Sequence, residues 1–163
     1  MSIETDIALV KKQEQELVLP SFDEGVAFAL GSAIRERALA EKLALIVDIR
    51  TWDRQVFFAA TAGTSADNAE WVRRKINTVR RFQRSSYRMV LERGEVPFAP
   101  QVGADPADFV IAGGGFPISV AGAGIIGALT ISGLPGRSDH GVAVDALCDH
   151  LGFDTSAYTL PSE

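Results

Sequence analysis

The chain has 163 residues, 47% apolar and 23% charged, a balance that suits one globular domain with a substantial core. A net charge of −5 opposes non-specific nucleic-acid binding by the chain as a whole, and the one cysteine, Cys148, excludes an internal disulfide and a cysteine-based metal cluster. No apolar run approaches a membrane span and the first residues carry acids, so no membrane partner is expected and the expected compartment is the cytoplasm.

Ile3, Ile7, Val10 and Leu17 recur at helical spacing, so residues 3–19 read as a surface helix ended by Pro20. Ser21-Phe22-Asp23-Glu24 has the form of a capping box, with Ser21 as the cap of a second helix running to about Lys42. Val26, Ala29, Leu30, Ala33 and Ile34 share one face of that helix, and its small residues allow close packing on a sheet. Residues 43–50 and 55–61 are rich in apolar and β-branched side chains and read as a hairpin joined by Thr51-Trp52-Asp53-Arg54. Asp48, inside the first strand, is expected on the wetter face or held by a backbone donor.

Residues 66–91 are predicted to form one long helix. Val72, Ile76, Val79, Tyr87 and Val90 gather on one side, and Arg73, Arg74, Arg80, Arg81, Arg84 and Arg88 on the other. From Arg73 to Arg93 there are eight basic residues, half of the chain's sixteen, against one acid, Glu92. Like charges three and four apart repel, so the stripe is either a solvated face or one answered by an acidic surface on a second subunit. Nucleic acid ranks last, because no aromatics interleave with the arginines. Residues 94–108 hold three prolines and two glycines and read as a loop crossing the molecule.

Beyond this loop come Gly113-Gly114-Gly115, then strands over 116–120 and 125–132, joined by Ala121-Gly122-Ala123-Gly124. Ser138 is expected to cap a last helix ending at Gly152, with Val144, Leu147, Cys148 and Leu151 buried and His140 on the same arc. A helix N-terminus disfavours imidazolium there. Three successive glycines make sense where the chain turns sharply or passes too close to another group for a Cβ. They place a candidate pocket between the Gly113–Pro117 turn (Gly113, Gly114, Gly115, Phe116, Pro117), the 132–136 turn, and Asp139 with His140. Arg73, Arg74 and Lys75 are the candidates for holding an anionic group. His140 is expected at the pocket mouth, where its removal costs little stability. No nucleophile with an adjacent base and no metal-ligand spacing is visible, so no reaction is assigned. The alternative is an interaction protein whose glycines are structural and whose basic helix joins subunits.

Phe116-Pro117-Ile118 after three glycines, then Gly127, Ser132-Gly133-Leu134-Pro135 and Asp139-His140, together resemble the HbpS/GlcG-like superfamily, whose members often carry the label "haem-degrading domain". Ile46-Val47-Asp48-Ile49 and Trp71-Val72-Arg73-Arg74-Lys75 extend the resemblance over roughly residues 22–152. It implies an α/β (α+β) fold, a profilin-like three-layer sandwich with an antiparallel sheet and helices on both faces. It also implies assembly into homodimers or larger rings, and haem as a candidate ligand, since some relatives bind haem or a corrinoid. The residue before the triplet is usually histidine in this branch; here it is Ala112. His140 is then the one well-placed imidazole.

Overall fold

The computed structural model describes residues 2–161. Ten regular elements follow in chain order: α1 (Ile3–Glu16), β1 (Val18–Leu19), α2 (Glu24–Ala40), β2 (Ile46–Thr51), β3 (Gln55–Ala60), α3 (Ala66–Phe82), α4 (Ser86–Arg93), β4 (Gly115–Val120), β5 (Gly124–Ser132) and α5 (Gly136–Leu151). The strands form one sheet in the order β1-β4-β5-β2-β3, antiparallel except where β1 lies parallel to β4. Helices α2 and α5 cover one face and α3 the other, giving the expected three-layer α/β architecture.

Alternation along the strands divides the core. Val47, Ile49, Leu129, Ile131, Phe116 and Ile118 meet Leu30, Ile34, Val144 and Leu147 of α2 and α5, while Ile46 and Ala128 meet Val72, Ile76 and Val79 of α3. A third cluster, Met89, Phe98, Ala104 and Ile111, anchors the 94–112 segment against α4. The main cluster also takes in Leu17, Leu19 and Tyr158, from outside the 22–152 stretch that carries the resemblance.

Four local expectations are corrected. Helix α1 stops at Glu16, and the chain then adds the short edge strand β1 before Pro20. Asp23, not Ser21, caps α2, its Oδ1 accepting from the Val26 amide at 2.8 Å. The long helix is two helices: Gln83 adopts a left-handed conformation (φ 54°) that closes α3, and Ser85 caps α4 by accepting from the Arg88 amide at 3.2 Å. Helix α5 begins at Gly136 after Pro135, which supplies no side-chain cap, so Ser138 is already inside the helix.

The arginine stripe is answered within the chain. Arg73 donates to Asp108 at 2.9 Å and to the Ala107 carbonyl at 2.7 Å, and Arg81 to the Val102 and Gly103 carbonyls. Arg74 stacks over Trp71, Arg84 pairs with Glu92, and Arg88 bridges Glu14 and Glu92. The 94–112 segment, with Glu14 and Glu92, thus answers the stripe. Asp48 is fully buried, not on a wetter face, and accepts from the side chains of Arg50 (2.8 and 2.6 Å) and Gln55 (2.6 Å).

Candidate functional site

The glycine triplet, the 132–136 turn and the α5 N-terminus converge on one side of the sheet against the first half of α3. Between them lies a cavity of about 280 Å³ bordered by Trp71, Lys75, Gly113, Gly133, Gly136 and Asp139, with Asn68, Ala112, Ser132, Leu134 and Glu95 completing its walls and rim. Backbone makes much of this wall. A Cβ on Gly113 would stand 2.2 Å from the Gly136 carbonyl oxygen, so the two turns meet there without side chains. Gly114 has φ +126°, and a Cβ on it would lie 2.3 Å from the Ile131 carbonyl oxygen and 2.8 Å from Lys75 Nζ.

That second contact reveals what the triplet accommodates. Lys75 Nζ donates to Asp139 Oδ2 at 3.0 Å and to the Ile131 carbonyl at 2.9 Å, and both side chains are almost wholly buried. Asp139 Oδ1 accepts from the Leu134 amide at 2.9 Å, which ties the ion pair to the Ser-Gly-Leu-Pro turn. Burial lowers the Lys75 ammonium from its ordinary value, with the Asp139 charge pulling the other way. Burial likewise raises the Asp139 carboxyl, opposed by Lys75. Burial and pairing thus oppose one another in both groups, at the edge of a cavity.

The other candidates separate. Gly115 lies behind the cavity, its amide donating to Ser86 Oγ at 2.9 Å, and Phe116 and Pro117 are buried in β4. Arg73 and Arg74 point to the 94–112 segment. His140 is not at a pocket mouth: it has no exposed surface, and it packs against Tyr87 (ring centroids 5.0 Å) and Phe116 (5.6 Å). The Gln13 amide nitrogen donates to the Tyr158 carbonyl at 2.6 Å, so Gln13 Oε1 faces His140 and accepts from its Nε2 at 2.8 Å. The tautomer is thereby fixed with the proton on Nε2, and Nδ1 is left buried without a partner. Burial, with Arg137 nearby, pushes the imidazole down to about 3. His140 borders instead a second cavity of about 440 Å³, between α5, α2 and the C-terminal segment.

Asn68, Trp71 and Glu95 are pocket residues that sequence reasoning missed, as it missed the pairing of Lys75 with Asp139. One signal was available. Lys75 lies three after Val72, one before Ile76 and four before Val79, on the inward arc of α3, where an unanswered lysine does not belong.

The fold and the pocket define an antiparallel-sheet α/β protein in which two glycine turns and a helix N-terminus frame a small cavity. The chain belongs to the HbpS-like family, described as "Haem degrading protein HbpS-like", whose model matches residues 22–148. It is 59% identical over 165 aligned residues to a UPF0303 protein of Mesorhizobium japonicum, covering 100% of this chain and 99% of that one. It is 54% identical to a UPF0303 protein of Brucella melitensis, covering 96% and 94%. Among solved structures it is similar to the Ybr137w protein (TM-score 0.83, 26% identity, 90% and 87% covered). It is also similar in fold to PduOC, solved as a heme complex (TM-score 0.62, 22% identity, 80% and 94% covered).

The residues present do not fit a haem in the cavity beside the triplet. No imidazole, thiolate or thioether borders it, and the residue before the triplet is Ala112. His140 has a free Nδ1, but it is sealed between Tyr87 and Phe116 and faces away from this cavity. Among the described residues no group of three metal-ligating side chains occurs, and no helix is long and apolar enough to cross a membrane.

Proposed function

We propose that this protein binds a small molecule bearing a carboxylate or carbonyl oxygen in the cavity between the glycine triplet, the 132–136 turn and α3. The observation that carries this reading is the buried Lys75–Asp139 pair set against a cavity whose near wall is glycine backbone. Its volume, about 280 Å³, lies at the lower end of small-molecule sites. Gly136 borders it at the start of α5, where no side chain caps the helix, so an oxygen of the ligand would meet the positive helix end. Asp139 balances Lys75 and Glu95 sits at the rim, a charge pattern that disfavours a multiply charged anion. Native mass spectrometry of the purified protein and of Ala112→Leu, which adds bulk to the wall, tests the reading. A small-molecule mass bound to the parent and absent from the variant supports it. A parent with no bound mass and no thermal shift with small carboxylic and keto acids overturns it.

A second observation supports self-association. Strand β3 is a sheet edge, its segment Gln-Val-Phe-Phe-Ala-Ala carries no charge, and Phe58 on it and Phe28 beside it on α2 are 49% and 67% exposed. An uncharged apolar edge of this kind invites a second strand, and a second copy of β3 running antiparallel is self-complementary. The homo-oligomer expected from the arginine stripe is therefore assigned to β3 and α2 instead.

A further inference from the structure

We propose that Lys75 is a Schiff-base-forming residue, and that the molecule it takes is a small aldehydo or α-keto acid. The inference rests on the pocket reading above and assigns the chemistry of that site. Four observations converge. Lys75 is the one lysine of the chain's four that is buried; Lys11 and Lys42 are exposed and Lys12 is half-buried. Its Nζ uses two of its three hydrogens, on Asp139 Oδ2 and the Ile131 carbonyl, and no other acceptor among the described residues takes the third. Asp139 stands 3.0 Å away, in place to remove and return a proton. Lys75 borders the cavity together with Gly113, Gly133 and Gly136, none of which has a side chain to fill it.

Asp139 Oδ2, 3.0 Å from Nζ, accepts one of its protons, leaving a neutral amine beside a carboxylic acid, and burial, which disfavours charge on both groups, acts in the same direction. The amine lone pair attacks the carbonyl carbon and the C=O π pair moves to oxygen. The added nitrogen loses a proton as that oxygen gains one, giving a carbinolamine. Asp139 then donates its proton to the hydroxyl, the C–O bond breaks, water leaves, and the nitrogen lone pair closes the protonated imine. The balance is one ammonium and one carbonyl compound giving one iminium and one water, with Asp139 a carboxylate at both ends. No oxidant, reductant or metal is needed. The ligand's carboxylate is held at the start of α5, which Gly136 brings to the same cavity.

An exposed lysine is unprotonated about one part in 2,500 at pH 7, so a tenfold gain in neutral amine reads directly as selectivity. The full-length protein is treated at pH 7 with glyoxylate and cyanoborohydride, and each of the four lysines is followed by peptide mass spectrometry. The expected result is carboxymethylation of Lys75 at least tenfold faster than of the other three, with Ala112→Leu suppressing Lys75 labelling alone. A parallel reaction with formaldehyde separates the two failures. Lys75 methylated by formaldehyde, but no faster than Lys11, Lys12 and Lys42 with either reagent, overturns the Schiff-base assignment and leaves the pocket. Lys75 untouched by both reagents overturns the assignment and the accessible pocket together.

Discussion

Acid should weaken this protein through His140. The native imidazole is completely buried and its pKa is pushed down to about 3, whereas the same group in the unfolded chain keeps its ordinary value of 6.5. Between those values the unfolded state binds a proton that the native state refuses, so stability rises with pH and is lost as pH falls below about 6.5. From pH 7 to pH 5 the loss attributable to this group is about 2 kcal/mol. That figure is set by the unfolded value, and moving the native value up by one unit barely changes it. For a chain of this size the corresponding drop in melting temperature is about 4–8 °C. Urea unfolding at pH 7, 6 and 5 on the parent and on His140→Leu isolates the term, because carboxylates common to both cancel. The variant should also be less stable at pH 7 by about 1–3 kcal/mol, since Gln13 Oε1 loses its donor. Its pH slope should flatten by the same 2 kcal/mol or so over the two pH units. Equal slopes in parent and variant would refute the burial argument for His140, as would a variant as stable as its parent at pH 7.

Three further outcomes are expected. Gly114→Val should destabilise by about 2–4 kcal/mol, because its Cβ would press on the Ile131 carbonyl and Lys75 Nζ at positive φ; unfolding equilibria indistinguishable from the parent's would remove the constraint assigned to the triplet. Lys75→Met and Asp139→Leu should each cost about 3–5 kcal/mol by stranding a buried charge, while the double variant should cost clearly less than their sum, and simple additivity in a denaturation cycle would contradict a coupled pair. Phe58→Lys places a charge on the β3 edge and should shift the protein toward monomer in light scattering at micromolar concentration, whereas a parent that is itself monomeric there would end the edge-pairing proposal.

The layers of the fold were legible because each long element repeats one apolar spacing against one face of the sheet. What the spacing could not show was where that repeat is cut. Apolar and basic positions continue through Gln83, and only the left-handed backbone there divides α3 from α4. Strand β1 is two residues long and takes its place from Ser119 and Val120, 101 residues further along the chain, so no local pattern could announce it. At the site, the glycine triplet, the 132–136 turn, Lys75 and Asp139 were each visible, but their meeting depends on long-range packing. His140 was legible as inward-facing and misplaced all the same. Adjacent residues on a helix point about 100° apart, so Asp139 and His140 at the start of α5 serve different cavities.

The contrast between those two neighbours bears on what the pocket is for. His140 is neutral, holds one hydrogen bond and fills a hydrophobic seam, which is what a structural group does in a core. Lys75 and Asp139 are different. A buried ion pair is commonly no more stabilising than apolar side chains of the same volume, and this one lies at the wall of a cavity. Stability alone therefore accounts for His140 and does not account for Lys75 and Asp139. Their placement at a cavity wall, next to a helix start without a side-chain cap, is what a reactive amine with its proton acceptor requires.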